Sequence, residues 1–299
     1  MGKEETIKKK EGFQGQKAVV IPRMILSQQC VKNEIISTLY ITDIGYYPKA
    51  QYHYRERPQG ADQHILIYCH KGAGQVRIQS ADYRIEAGDF VFIPARMAHR
   101  YAADEKDPWT IYWVHFKGQV APSLISLLYR QTTSHKGFLS SNERVLSLFD
   151  EMYNQLERGY GADNLMYTNM CFWHFLSIFL YTNKHDPASS LHDKDPIDQS
   201  IDFMSKQVEK VLTLEAIARE VNLSPSHFSF VFKKKTGFSP IEYFNHLKVQ
   251  KACQYLLFTN LRIKEIANEV GLEDPYYFSR LFTKVMGIPP NDYREKKIH

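Results

Sequence analysis

The sequence has few cysteines, no long apolar run and little excess charge of either sign. Its four cysteines, Cys30, Cys69, Cys171 and Cys253, lack the spacing of a disulfide framework or of a metal-binding pair. This favours a reducing compartment, and we expect the protein to be cytoplasmic. The charged first eleven residues do not predict a signal peptide. The apolar stretch Leu165 to Tyr181 contains polar residues and is too short to predict a membrane span.

The charge is close to balanced along the whole chain. Residues 197–299 contain 15 basic and 12 acidic side chains, and the remainder contains 23 and 21. Because neither part is a polycation, binding to nucleic acid would depend on a few placed phosphate contacts and on base edges. A length of 299 residues with 43% hydrophobic content predicts two domains, each with its own core.

What the sequence does contain is a repeat in its C-terminal third. The segment Leu214–Leu223 (LEAIAREVNL) recurs 49 positions later as Ile263–Leu272 (IKEIANEVGL). Each copy predicts a short helix, a tight turn and a second helix that ends at a glycine, Gly237 or Gly287. This order is typical of a helix-turn-helix, and two copies favour a protein that reads DNA. The alternative is a pair of helical hairpins that binds only protein.

The second helix of each copy has a clear start and an outward face. Ser224 is placed to cap it in the first copy and Asp274 in the second, each followed by a proline. Lys233, Lys234 and Lys235 are candidates for phosphate contact, or else a solvated helix end. The outward candidates for DNA contact are Ser226, His227, Ser229, Phe230, Lys233, Pro275, Tyr276, Ser279, Arg280 and Lys284.

The stretch from Ile201 to Tyr293 resembles the DNA-binding domain of the AraC/XylS transcription regulators. Its second half, from Ile266 through Val270-Gly271-Leu272 and Tyr277-Phe278-Ser279-Arg280 to Tyr293, follows the family signature. The resemblance implies a long helix, from about Pro240 to Leu257, that joins two units whose recognition helices enter successive major grooves. It also implies an operator DNA and a homodimer as partners, with RNA polymerase as a further candidate.

Residues of the N-terminal part predict β-structure. Short apolar strands between about 20 and 118 alternate with glycine turns, which is typical of a barrel or jelly roll. Gly88-Asp89, Pro94 and His99 resemble the second cupin motif. Many cupins are metalloenzymes, but residues 63–70 contain no His-x-His, and His99 alone cannot hold a catalytic metal. We therefore predict no catalytic residue, no metal and no cofactor.

The same region predicts a ligand site. It is similar to the arabinose-responsive regulators of the family, and the similarity implies that Arg57, Tyr101 and Trp113 contact a sugar. Strand alternation places Trp109, Ile111, Trp113 and His115 on one face, which alternatively is only barrel core. The candidate ligand-binding residues are Arg57, Tyr101, Trp109, Ile111, Trp113, Thr38 and His99. Ile111 stands where the arabinose-responsive regulators have a histidine, so one hydrogen bond to arabinose would be lost or replaced.

Two segments predict assembly and switching. Residues 119–183 are expected to be helical, and 164–180 are apolar nearly all round, which predicts a dimer interface or a helix within the monomer core. Polar substitution at Phe172 or Leu176 is expected to weaken the dimer. Residues Phe13 to Leu26 are predicted to form an arm that closes over the ligand. The alternative for Val19 to Ile21 is a permanent edge strand of the barrel. A regulator of this family whose barrel only dimerises or senses a non-sugar ligand remains the alternative function.

Together these patterns predict an α+β chain. A cupin-like barrel at about 20–118 and a helical dimerisation segment at about 119–183 form the sensor domain, 1–183. A polar linker follows at 184–196. An all-α domain with two helix-turn-helix units occupies 197–299.

Overall fold

The computed structural model describes residues 8–140, 143–182 and 195–295, and the chain divides into two compact units, 1–190 and 191–299. The predicted linker lies outside the described residues except for Asp195 and Pro196. These two residues already belong to a helix, because the Asp195 side chain accepts a hydrogen bond from the Ile197 amide and caps the segment that Pro196 begins. The helical region therefore starts one residue before the predicted boundary.

The first unit contains two antiparallel sheets. Their strands are β1 (Lys17–Val20), β2 (Tyr40–Tyr47), β3 (Tyr54–Arg57), β4 (His64–Lys71), β5 (Gly74–Ile78), β6 (Ala81–Ile85), β7 (Asp89–Ile93), β8 (His99–Ala103), β9 (Thr110–Lys117) and β10 (Lys136–Phe138). The larger sheet has the order β1-β2-β9-β4-β7-β10, and the smaller has the order β3-β8-β5-β6. The predicted barrel is thus a sandwich of two sheets, with no ladder that closes it into a ring among the described residues.

The larger sheet is buried on both faces. Along β4, Ile65 and Ile67 pack in the core that the two sheets share, whereas Leu66 and Tyr68 pack in a second core with the helices. A strand covered on both faces needs an apolar side chain at every position, which is why β4 and β7 read as continuous apolar runs.

The helices of the first unit cover the outer face of this sheet. They are α1 (Arg23–Ile25), which continues as a π-helical turn to Cys30, a 3₁₀ turn at Ile36–Thr38, α2 (Ala121–Thr132), α3 (Glu143–Glu157) and α4 (Ala162–Leu180). The prediction that 119–183 is all helical was wrong at β10, which pairs with β7. Gly137 makes this pairing possible, because a Cβ there would lie 2.2 Å from the Phe90 ring. A three-residue strand has too little pattern to detect.

The second unit is all helical. Its helices are α5 (Pro196–Lys206), α6 (Leu214–Glu220), α7 (Pro225–Thr236), α8 (Pro240–Phe258), α9 (Ile263–Glu269), α10 (Pro275–Met286) and α11 (Pro290–Glu295). The predicted caps are confirmed: Ser224 accepts from the His227 amide and Asp274 from the Tyr276 amide. Gly237 and Gly287 end the two recognition helices with φ of 82° and 78°, a conformation that favours glycine.

Each helix-turn-helix has its own small core. Ala218 and Ala267 are fully buried, consistent with a close crossing of the paired helices. Phe228 and Phe232 fill the first core, and equivalent phenylalanines fill the second. The joining helix α8 matches the predicted span to within a residue. Of the helices in the described ranges, none is both long and apolar enough to cross a bilayer.

Candidate effector cavity and DNA-binding surface

The first unit contains a cavity between its two sheets. It holds about 330 Å³ of empty space, part of which is open to solvent. Its lining combines aliphatic, aromatic and cationic side chains: Tyr47, His53, Arg55, Arg57, Ile65, Ile67, Tyr101, Ile111, Trp113 and His115. A narrow apolar space with a few polar groups is the usual form of a small-molecule site.

Strand register brings the two arginines into this cavity. In the pairing of β3 with β8, Arg55 lies opposite Tyr101 and Arg57 lies opposite His99. The residues between them, Glu56 and Arg100, are exposed because side chains alternate across a strand. Arg55 and Arg57 therefore share one face of β3.

Arg57 is held in place by two neighbours. Its Nη1 lies 3.1 Å from His99 Nε2 and donates to the Tyr101 hydroxyl at 3.2 Å. His99 Nδ1 lies 2.7 Å from the Met97 carbonyl, which can only accept, so Nδ1 carries the hydrogen. Nε2 is then the acceptor that Arg57 needs. Burial lowers the pKa of His99 and favours this neutral form.

His53 has its tautomer fixed in the same way. The Trp109 indole nitrogen donates to His53 Nδ1 at 3.2 Å, and an indole nitrogen can only donate. The hydrogen of the neutral ring is therefore on Nε2, an atom that is buried and has no partner in the protein among the described residues. Burial, together with the charges of Arg55 and Arg57, lowers the pKa of His53 to about 3.

A carboxylate and a histidine lie at one side of the cavity. His115 Nδ1 is 3.5 Å from Asp43 Oδ2, and Thr42 Oγ1 donates to the same oxygen at 2.7 Å. Although burial alone would raise the pKa of Asp43, hydrogen bonds from His115 and Thr42 hold it below its usual value. Asp43 is therefore a carboxylate already engaged by protein groups.

A glycine lets the Trp113 indole lie at the cavity wall. Gly45 on β2 is paired with Trp113 on β9, and a Cβ at Gly45 would lie 2.3 Å from the indole ring. The ring therefore rests directly on the β2 backbone. Its Nε1 is buried and has no partner within the protein among the described residues.

The structure brings most of the predicted ligand residues together, but not all. Arg57, Tyr101, Ile111 and Trp113 line the cavity, and His99 contacts Arg57 from beside it. Trp109 and Thr38 do not line it. Trp109 is fully buried next to His53, and the Thr38 hydroxyl donates to the Ile35 carbonyl in a 3₁₀ turn beside Gly118.

Several cavity residues were missed from the sequence. Arg55 had a usable signal, since it is two residues from Arg57 and so on the same strand face. His53 follows the same alternation, since it lies two residues before Arg55 and forms a β-bridge with Lys9. Tyr47 ends β2, far upstream in a region that alignment by motif did not reach. Among the described residues, no group of three or more His, Cys, Asp or Glu is placed to hold a metal ion.

The second unit presents two recognition helices, α7 and α10. Phe230 and Tyr276 are 67% and 79% exposed, which is unusual for aromatic side chains without an outside partner. The other predicted contacts that are exposed are Ser226, His227, Lys233, Arg280 and Lys284. Ser229, Pro275 and Ser279 are half-buried.

The lysine run at the end of α7 divides into two parts. Lys235 forms ion pairs with Asp195 at 3.0 Å and Asp198 at 2.8 Å, so it ties α7 to α5. Lys233 and Lys234 are exposed and remain candidates for phosphate contact.

Comparison with known proteins matches both units. The AraC-like ligand binding domain matches residues 44–166, and a helix-turn-helix domain matches residues 217–296. The MmsAB operon regulatory protein of Pseudomonas aeruginosa is 35% identical over 289 residues, which cover 92% of this chain and 89% of that protein. The chain belongs to the AraC family of transcriptional regulators.

Other AraC-type relatives are more distant. The lactose operon transcription activator of Staphylococcus xylosus is 27% identical, over 77% of this chain and 83% of that protein. The arabinose operon regulatory protein of Escherichia coli is 25% identical, over 82% and 85%. The chain is thus a DNA-binding transcriptional regulator with an N-terminal ligand-binding domain, and its relatives are regulators rather than enzymes.

A buried lysine joins the two helix-turn-helix units of this AraC-family chain. Lys248 on α8 donates through Nζ to the carbonyls of Val208 at 2.7 Å, Lys210 at 2.8 Å and Val270. Val208 and Lys210 precede the first helix-turn-helix, and Val270 is the C-cap residue of α9 in the second. Burial lowers the pKa of Lys248 to about 8. Sequence reasoning missed it, because a lysine within a helix usually marks a solvated face.

Proposed function

We propose that a sugar or sugar-derived small molecule binds in the cavity of the first unit and controls transcription through the DNA contacts of α7 and α10. The observation that carries this proposal is the pairing of an indole at the cavity wall, Trp113, with an arginine held toward the cavity, Arg57. Indole rings suit the apolar face of a sugar ring, and guanidinium groups suit its oxygens. The relatives named for the lactose and arabinose operons support the choice.

A second candidate is a regulator whose cavity takes a ligand other than a sugar or whose first unit only dimerises. The MmsAB operon regulator, whose name refers to no sugar, favours keeping this candidate. The polar groups of the cavity favour binding over dimerisation alone, because partnerless buried donors are costly in a cavity without a ligand.

We also propose a homodimer formed through α4. Tyr167, Met170, Trp173 and Tyr181 follow helical spacing and are 45%, 57%, 38% and 44% exposed. An exposed apolar stripe of this kind marks a contact surface. RNA polymerase stays a proposed partner, with no single surface assigned to it.

A thermal-shift panel of monosaccharides, disaccharides and sugar acids tests the effector proposal. At least one compound should raise the melting temperature of the full chain and change its affinity for operator DNA. Trp113→Ala and Arg57→Ala should abolish both effects, whereas Arg100→Ala, on the outer face of β8, should leave them intact. The effector proposal fails if a compound binds with equal strength to all three variants, or if none binds at all.

A further inference from the structure

We propose that the effector carries a carboxylate, which Arg55 and Arg57 bind with help from the N–H groups of His53 and Trp113. The inference rests on the proposed effector role of the cavity and narrows it to a chemical class. A sugar acid or a short hydroxy acid would satisfy it.

The two fully buried polar atoms of the cavity lining that lack a partner among the described residues are both donors. They are His53 Nε2 and Trp113 Nε1. The first carries a hydrogen because Trp109 occupies Nδ1, and the second is an indole N–H. The two side chains are neighbours through Tyr47, whose ring centroid lies 5.2 Å from that of His53 and 5.4 Å from that of Trp113.

The two arginines add further donors and an excess of positive charge. Neither Arg55 nor Arg57 forms an ion pair among the described residues, although Arg57 uses part of its guanidinium on His99 and Tyr101. Asp43 lies beside the cavity, and its Oδ2 already accepts from Thr42 and His115. The lining itself contains two guanidinium groups and no carboxylate.

A carboxylate fits this lining better than a neutral sugar does. An ionised carboxylate only accepts hydrogen bonds, and guanidinium groups bind it in a planar, bidentate fashion. Every hydroxyl of a sugar also carries a hydrogen that needs an acceptor. In this cavity the Tyr47 and Tyr101 hydroxyls already bond Arg55 and Arg57, which leaves Nε2 of a neutral His115 as an acceptor. A negative charge on the ligand would also be attracted to both guanidinium groups.

The size of the cavity restricts the rest of the ligand. The 330 Å³ of empty space includes open solvent, so the enclosed part of the cavity is small and favours a short ligand. Ile65, Ile67 and Ile111 line one side, so the ligand needs an apolar face opposite its carboxylate.

Matched pairs of a neutral compound and its acid test the inference on the full chain. The probes are glucose with gluconate and glucuronate, glycerol with glycerate, the methyl ester of each acid, and glucose 6-phosphate. Titration calorimetry and thermal shift should detect binding of at least one acid. They should detect no binding of its neutral partner or of its methyl ester. Arg55→Met and Arg57→Met should each weaken the binding of that acid about ten- to a hundredfold, as expected for the loss of hydrogen bonds to a charged group.

Two further variants separate recognition from folding. Trp113→Phe keeps an aromatic ring but removes the N–H and one ring of the indole, so it should weaken binding of the acid several-fold without loss of the folded circular dichroism spectrum. Arg100→Met should bind the acid like the parent chain. If a neutral sugar binds and its acid does not, or if the phosphate ester replaces the acids, the carboxylate inference is overturned and the effector role stands. If no probe binds, both are overturned.

Discussion

Histidine protonation determines what the cavity offers to a ligand. His53 lines the cavity and His99 lies beside it, and in each ring a neighbour fixes the tautomer. His99 turns its acceptor toward Arg57, and His53 keeps a buried donor that has no partner among the described residues. Because burial lowers the pKa of both rings, this pattern persists across the neutral pH range.

The same burial predicts a pH-dependent stability for the first unit. The unfolded chain protonates His53 near pH 6.5, whereas the folded chain does so only near its lowered pKa of about 3. The unfolded state thus binds more protons between these values. The contribution of neutral His53 to the free energy of unfolding is fully present above pH 6.5 and declines as the pH falls. The decline is about 2 kcal/mol between pH 7 and 5.

Urea unfolding followed by tryptophan fluorescence measures this effect. Trp109, Trp113 and Trp173 are the three tryptophans of the chain, and all lie in the first unit. His53→Asn, which keeps an acceptor near the Trp109 indole, should reduce the stability loss between pH 7 and 5. His227→Asn, an exposed change in the second unit, should not. Equal pH dependence in the parent and His53→Asn chains would contradict the assignment.

A second prediction at this scale concerns Arg280. It is exposed on α10, and the matching residue of the family signature is expected to contact a base edge. Arg280→Ala should weaken binding to the operator by about 1–3 kcal/mol and relax the preference at one base pair. Fluorescence anisotropy with operator variants checks both effects. Arg130→Ala, an exposed arginine of the first unit, is the control. Unchanged affinity together with unchanged base preference would remove Arg280 from the interface.

At the scale of elements, α4 has a buried face and an exposed face, a division that its apolar sequence does not predict. Phe172 and Leu176 are almost fully buried in the core of their own unit, whereas Met170 and Trp173 are exposed. The sequence favoured Phe172 and Leu176 as dimer contacts, because every face of this helix is apolar. Since both are core residues, an aspartate at either position would unfold the unit rather than test the dimer.

The exposed stripe of α4 gives the proper test of assembly. Met170→Asp and Trp173→Asp should each weaken the dimer by at least about tenfold, or 1.4 kcal/mol, because they place a charge in an apolar contact. Sedimentation velocity over a concentration series measures the shift. Met24→Asp changes an equally exposed methionine of the same unit and should leave the dimer unaffected. A parent chain that is monomeric at micromolar concentration would refute a dimer through α4.

The elements also show which signals a sequence contains. The helix-turn-helix units were predicted nearly residue by residue, because Ser224, Asp274 and Gly287 are local signals that act on their own backbone. The cavity was predicted only in part. Arg57 followed from a motif, but His53 and Gly45 acquire their roles through strand pairing with distant residues, Gly45 with Trp113 for example. Lys248 is similar, since its three acceptors come from segments on either side of α8.

At the scale of the whole molecule, the N-terminal arm has one fixed part and one candidate for movement. β1 pairs with β2 at four positions, and Val19 and Ile21 pack in the core with the helices. β1 is an edge strand of the larger sheet, which is the alternative predicted from the sequence for Val19 to Ile21. The arm reaches the core between the two sheets through the side chain of Phe13.

Phe13 is well placed to respond to a ligand. Its ring centroid lies 5.0 Å from that of Tyr47 and 5.2 Å from that of His53, both of which line the cavity. Gln16 holds the turn around it, because its Oε1 accepts from the amides of Gly12 and Phe13. A ligand that orders Tyr47 and His53 would therefore stabilise the contact with Phe13.

We expect a bound effector to protect the amides of residues 9–16 from hydrogen exchange and to leave those of β1 unchanged. A tenfold shift in the population of the closed arm requires only about 1.4 kcal/mol of differential contact. Phe13→Ala removes the contact and should abolish the protection, together with the effect of the ligand on DNA affinity, while ligand binding itself persists. Phe138→Ala deletes an exposed phenyl ring of the same unit and is the matched control. If exchange in residues 9–16 is the same with and without a bound ligand, the arm is structural, and the signal must leave the cavity through the larger sheet and its helices.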